Sequence, residues 1–329
     1  MIRLVGVELR RTMSRRALRF LSALILLGIV IAGVTAFVRS SNDLAAKATA
    51  VTADFNQRKQ ECLQHPEEFG GFKQVGPDGS VIIIPEPGPP GANQKPQTPE
   101  QVCGDTFNAE NLKLEIEASD PRFHLTKFDH IIKGIAAPLL ILCLLIGATS
   151  IGAEWHHRTI TTLLTWEPRR TRVIVAKIVS AAIVGAIFVV VFDALLGVTL
   201  IPAAAFRGTT AGTTAHWLHG VAGTGLRAAA AGSVASVIGI SIATLGRNTV
   251  AAIGIAFGYF AVLESLIRAR YHFSQMWLFT DNVAAWVTHD SGIFSFGSRT
   301  TLQSGLLLGL YAFGIAVLAT MSFRARDIG

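Results

Sequence analysis

Six stretches of this chain are apolar over lengths that match a lipid hydrocarbon core, and that pattern removes most soluble folds at once. They run roughly over residues 20–38, 134–153, 178–201, 220–245, 249–267 and 302–323. A helix needs about 20 mainly apolar residues to cross a core of roughly 30 Å. A spanning backbone finds no water, so it must bond to itself as a helix or close into a barrel. Barrel strands show about ten residues of alternating polarity, and these runs do not alternate. The expected fold class is therefore an all-α integral membrane protein with six transmembrane helices. The first run is too long for a signal-peptide core of ~7–15 residues, and no A-x-A cleavage site follows it.

Charge supports this reading and sets an expected orientation. Charged residues make up 16% of the 329, below the ~25% of soluble domains. The formal charge of +7 suits nucleic acid as well as membranes, but its placement at span ends favours lipid headgroups and argues against nucleic acid. One side of the membrane gathers fourteen basic residues against four acidic ones: Glu8, Glu154, Glu167 and Asp327. The basic set lies in 1–19, in 154–177, at Arg247 and at Arg324 and Arg326. The long 39–133 segment carries ten basic and fourteen acidic residues. Both termini are thus expected in the cytoplasm, with 39–133 on the other side as a small mixed α/β extracytoplasmic domain.

The expected layout has seven parts: an amphipathic helix (1–19), span one (20–38), the extracytoplasmic domain (39–133), span two (134–153), a cytoplasmic loop (154–177), spans three to six (178–323) and a tail (324–329). In the first part Ile2, Val5, Leu9 and Met13 recur at helical spacing, with arginines on other faces. That suits a helix in the membrane interface, or a simple positive-inside anchor. Beyond span one, Leu44, Ala48, Val51 and Phe55 keep helical spacing. Residues 72–85 read as a hairpin around Gly76-Pro77-Asp78-Gly79, followed by a Pro-rich stretch. Leu112, Leu114 and Ile116 alternate with charged residues and favour a strand over a helix. Asp120-Pro121 reads as a helix start leading into span two.

Cys62 and Cys103 flank the hairpin and Pro-rich stretch, in a compartment where disulfides persist. A bridge would close a flexible loop; two free thiols are the alternative. Cys143 reads as an apolar packing residue of span two. The sequence has no G-x-x-x-x-G-K-[ST], G-x-S-x-G or H-E-x-x-H, and no metal-spaced Cys/His set. No catalytic or metal site is expected on this chain. Intramembrane charges are the default functional pointers. Asp193 and Arg227 lie at matching depth in spans three and four, at ~1.5 Å per residue. They are expected to pair, either locking two helices or facing a substrate. Glu264 and Arg268 read as ordinary i,i+4 pairing.

The loop between spans two and three is the most specific part of the sequence. Residues 159–165 form a short helix candidate with Ile160, Leu163 and Leu164 on one side, and Pro168 stops it. Arg169, Arg170 and Arg172 follow, then Lys177. A short helix held parallel to the membrane by two long ones is a lever whose apolar side can enter a groove on a soluble partner.

The string GAEWHHRTITTLLTWEPRRTRVIVAK, residues 152–177, resembles the first cytoplasmic loop of ABC-2 type transporter permeases. Glu154, Thr162-Leu163-Leu164, Pro168, Arg169/Arg170 and Lys177 follow that family's order, and the six-span layout resembles it too. The 95-residue segment between spans one and two departs from the short loop of simpler members. The resemblance implies the permease subunit of an ATP-driven exporter in a bacterial cell membrane. It places ATP, Mg and the P-loop on a separate ATP-binding subunit, present in two copies, with no cofactor on this chain and no enzyme activity of its own. A second permease protomer, identical or paralogous, would complete the pathway. Glu154, Thr159, Ile160, Thr162, Leu163, Leu164, Pro168, Arg169 and Arg170 would form the ATPase-coupling surface. The alternative is a mechanotransmitter that drives its extracytoplasmic domain without moving solute.

Overall fold

The computed structural model describes residues 2–65, 68, 72–75, 81–84, 98–156, 159, 169–290 and 299–325. In chain order the elements are α1 (Ile2–Met13), α2 (Arg16–Arg39), α3 (Leu44–Gln64), β1 (Phe72–Val75), β2 (Val81–Ile84), α4 (Pro99–Thr106) and α5 (Ala109–Ala118). Then come β3 (Phe123–His124), α6 (Phe128–His156), α7 (Arg170–Arg207), β4 (Gly208–Thr209) and α8 (Ala215–Gly246). The chain ends with α9 (Thr249–Phe257), a π-helical turn (Gly258–Leu263), α10 (Glu264–Arg270), α11 (Phe279–Thr288) and α12 (Thr301–Ala325). Among the described residues six helical segments are long and apolar enough to cross a membrane: α2, α6, α7, α8, the continuous α9–α10 run and α12. Each expected apolar run falls inside one of them. The helices outrun the apolar stretches because arginine and lysine carry helix well and extend their charges toward water.

The chain divides into two compact units. One comprises Met1–Thr35, His124–Pro202 and Thr210–Gly329; the other comprises Ala36–Phe123 and Ala203–Thr209.

In the first unit α8 is the central helix, packed on α6, α7 and α12. In lipid no hydrophobic force drives helices together, so close backbone approach and polar contacts must do it. Gly147 and Gly239 make that approach possible. A Cβ on Gly147 would sit 2.0 Å from the Ser236 carbonyl oxygen, and one on Gly239 2.1 Å from that of Leu144. Ser236 Oγ donates to the Cys143 carbonyl at 2.9 Å, and Ser233 Oγ donates to that of Ala182, also at 2.9 Å. Cys143 is buried and donates weakly to the Gly185 carbonyl, a packing role as expected.

Span five is not a uniform helix. Its π turn brings Glu264, which is 1% exposed, to face the start of α11. Glu264 Oε1 accepts from the backbone N–H of Phe279 at 2.7 Å and of Thr280 at 3.2 Å. Arg268 donates to Thr280 Oγ1 and to Asp281 Oδ1, each at 2.8 Å. The expected i,i+4 pairing of Glu264 with Arg268 is thus corrected: each reaches α11 instead. A carboxylate aimed at exposed helix N–H groups outweighs a pairing along one helix. Trp286 of α11 donates from its indole nitrogen to the Arg227 carbonyl at 2.9 Å.

The second unit has its own small core. Phe55 and Phe107 meet edge to face at 5.2 Å between centroids, beside the Cys62–Cys103 disulfide and Leu112. The bridge therefore exists, as the reading with an oxidised loop requires. β1 and β2 pair antiparallel, with Phe72 opposite Ile84 and Val75 opposite Val81; the expected turn residues lie outside the described ones. The strand expected at 112–116 is instead helix α5. Asn108 caps it by accepting from the Asn111 N–H at 2.8 Å, and Glu115 pairs with Arg58 of α3. Three alternating apolar residues are too few to override a cap and a tertiary partner. The helix expected to start at Asp120-Pro121 starts instead at Phe128, after β3 and a 3-10 turn. Asp120 is engaged locally, accepting from Arg122 through backbone and guanidinium.

Candidate functional site

The site grows from α1. Six arginines, three within α1 and three in the residues 15–19 that follow, invite the view of a basic helix lying free on a surface. Yet the buried face of α1 is polar: Glu8 is 4% exposed and Thr12 5%, while Val7 is 61% and Met13 44% exposed. Glu8, Arg11, Thr12 and Arg15 recur at three- and four-residue steps and so share one side of the helix and its end. That side docks on the end of α6 and the start of α7.

Glu154 closes the last turns of α6, and Lys177 sits two turns into α7. Lys177 Nζ lies 2.8 Å from Glu8 Oε2 and donates to Glu154 Oε1 at 2.9 Å. The three side chains are nearly sealed from solvent, at 3%, 5% and 6% exposure for Lys177, Glu8 and Glu154. Arg15 donates to Glu154 Oε1 and to the Thr149 carbonyl, each at 2.8 Å. Arg11 lies 3.8 Å from Glu8 and 3.7 Å from Glu154. Three cations thus meet two carboxylates, leaving one net positive charge. Burying an ion costs several kcal/mol unless it is paired, so this arrangement fixes which face of α1 meets the bundle.

An aromatic layer lies beside it. Trp155 meets Phe323 of α12 edge to face at 6.2 Å. Arg247, in the left-handed turn after α8, stacks over the Trp155 ring at 5.1 Å. The helix ends that frame residues 157–168 are therefore clamped on both sides, by ion pairs and by stacking.

The expected coupling surface is placed only in part. Glu154 belongs to the ion network. Thr159 is helical and exposed, and Arg169 is exposed just ahead of α7. Arg170 opens α7. Ile160, Thr162, Leu163, Leu164 and Pro168 lie outside the described residues. Glu8 was the residue that sequence reasoning passed over. Its signal was present: it is the single acidic residue among the first nineteen.

The expected Asp193–Arg227 pair does not form. Asp193 is 6% exposed, and neither carboxylate oxygen has a hydrogen-bond partner among the described residues. Arg227 donates to Thr224 Oγ1 at 3.0 Å on its own helix. Asp129 holds Lys133 at 2.6 Å. Matching depth fixes height along two helices but not the direction each side chain points.

A family model described as ABC-2 family transporter protein matches residues 2–270. No curated protein and no solved structure matches the chain.

Proposed function

The chain belongs to the ABC-2 transporter family, and from that premise we propose that it is the permease subunit through which a separate ATP-binding subunit drives export. Membership makes it a multi-pass transport subunit that partners an ABC ATPase. The finer reading puts the ATPase contact on residues 159–165, with Ile160, Leu163 and Leu164 entering a groove on that subunit, Thr162 beside them and Pro168 ending the helix. Two ATPase copies, carrying ATP and Mg, would act on two permease protomers. The observation that carries this is the buried Glu8–Lys177–Glu154 network. It braces both helices from which the 157–168 segment hangs, so a push on that segment passes into α6 and α7 rather than being lost in a loose loop. Arg169 and Arg170 would serve the rim, where charges contribute little.

The test is association with the cognate ATPase in detergent. Leu163→Asp puts an unpaired charge into the interface and should abolish co-purification, while Thr161→Ala should not. Undiminished association of the Leu163→Asp protein, with ATPase stimulation intact, overturns the coupling assignment. Orientation has its own test. A cysteine at position 93 should label with an impermeant thiol reagent in intact cells, and one at position 161 should not; the reverse pattern inverts the topology.

A second reading draws on the disulfide-bonded core of the 36–123 unit. A domain with its own covalent brace can take up force from the spans and act on a partner outside the membrane. Vesicle assays that detect ATP-dependent solute movement would exclude it.

A further inference from the structure

A cavity of about 640 Å³ opens between α6, α8, span five and α11, within the ~300–1,000 Å³ range of small-molecule sites. Its lining is apolar except for Lys133, Thr280 and Thr288. Lys133 and Thr280 lie toward one end, and Thr288 ends α11. Lys133 is near the start of α6, and Thr280 is bonded to Glu264 and Arg268 at the far end of span five. That end of span five lies beside the start of α6 because successive spans alternate in direction. The opposite end is closed by Leu144 and Leu145 of α6, Ile238 of α8 and Ile253 of α9.

From Lys133 to Leu145 is twelve residues of helix, roughly 18 Å at ~1.5 Å per residue. One leaflet of a bilayer is about 15 Å of hydrocarbon, half of the ~30 Å core. The cavity therefore has the depth of one leaflet's acyl chains. It also opens sideways, since Ile141, Ile253 and Phe257 line it and remain exposed on the bundle surface. A water-soluble ligand would leave polar groups unsatisfied against such walls. A hydrocarbon chain would not.

Charge at the polar end selects the headgroup. Asp129 holds Lys133, a lining residue, at 2.6 Å. The Arg227 Nε, on the neighbouring helix α8, is buried without a hydrogen-bond partner among the described residues. An ammonium with donors to spare at the polar end, with a further guanidinium on the adjacent helix, attracts a phosphate.

We propose that this cavity is a lipid site: it takes one acyl chain of an anionic phospholipid sideways from the bilayer, with the phosphate at Lys133. The inference rests on the helices crossing a membrane and not on coupling to an ATPase, so the two can fail separately. A resident lipid here would fill the space between span five and α6.

The experiment uses the full chain reconstituted in nanodiscs of equal parts dioleoyl-phosphatidylglycerol and dioleoyl-phosphatidylcholine. After mild detergent extraction, native mass spectrometry counts retained lipids. Wild-type protein should retain phosphatidylglycerol over phosphatidylcholine by about fivefold, the ratio that corresponds to one lysine near a membrane surface. Lys133→Gln should bring the ratio close to one. Ala137→Phe and Ala284→Phe, which fill the cavity, should remove the retained lipid of both kinds, while Leu306→Phe on exposed α12 should not. Equal retention of both lipids by wild type, or a ratio unchanged in Lys133→Gln, overturns the proposal. So does a cavity-filled variant that keeps its lipid, or one whose change is a shift from dimer to monomer mass without loss of lipid. If a filled variant fails to fold, the Lys133→Gln ratio decides.

Discussion

Replacing Lys177 by methionine isolates what the buried ion network does. The substitution keeps side-chain length and helix propensity and removes only the charge. Glu154 would keep Arg15 at 2.8 Å. Among the described residues Glu8 would keep only Arg11, at 3.8 Å and on a side chain 46% exposed, which is a weak partner. The change therefore strands Glu8, and removing one partner of a buried pair costs about 3–5 kcal/mol. The remaining Arg11 contact lowers the expected loss to about 3 kcal/mol, a fall in thermal midpoint on the order of 10 °C. Glu8→Gln added to Lys177→Met should recover part of it, because the stranded charge is then gone; a coupling of about 1–2 kcal/mol is expected from such a cycle. Two readouts check this in detergent: the thermal midpoint, and tryptic cleavage after Arg10 and Arg11, which should appear as α1 detaches. A Lys177→Met protein with an unchanged midpoint and an uncut α1, or strictly additive single changes, would refute the claim that this network docks α1.

Four further outcomes follow from the packing. Cys62→Ser opens a loop with a sequence separation of 41; it should cost the 36–123 unit roughly 4 kcal/mol in the chain-entropy model, read as faster proteolysis within it and loss of the mobility shift on reduction. Asp193→Leu removes a buried carboxylate with no hydrogen-bond partner among the described residues and should raise the thermal midpoint, and swapping Asp193 with Arg227 should rescue nothing. Gly239→Val forces α6 and α8 apart and should cost about 1–3 kcal/mol or more, whereas Gly309→Ala, with no heavy atom within 4 Å of the new Cβ, should be neutral or gain up to about 1 kcal/mol. Glu264→Ala uncaps α11 and should cost about 1–2 kcal/mol, seen as faster amide exchange at Phe279 and Thr280.

The spans were legible because a long apolar run has few other folded states. Their ends were not, because a helical hydrogen-bond ladder does not stop where hydropathy falls: α7 carries Arg170 at one end and Arg207 at the other. The ten-residue α11 was passed over; it lies outside the apolar runs, and its defining contact comes from Glu264, fifteen residues upstream. Helix α5 was read as a strand because its cap and its Arg58 partner are invisible to a local pattern. Lys177 and Glu154 were picked out singly from the loop, but their meeting with Glu8 depends on α1 folding back across more than 140 residues of chain. Asp193 and Arg227 show the limit most plainly, since sequence gives depth and the azimuth comes only from packing.

The π turn at Gly258–Leu263 bears on how this chain tolerates insertions and deletions. Such a turn holds one residue more than an α-helical path would use. Deleting a single residue there, Ala261 for instance, would leave span five apolar and long enough to cross a bilayer. That deletion would remove the extra residue itself, so the turn would close to regular α-helix and Glu264 would keep its approach to Phe279 and Thr280. A deletion within α9, which holds no spare residue, would instead turn everything beyond it by about 100° and draw it back by about 1.5 Å, and α11 would lose its anchor with no change of composition. The residue count ahead of this turn, rather than the hydrophobicity around it, sets where the carboxylate lands.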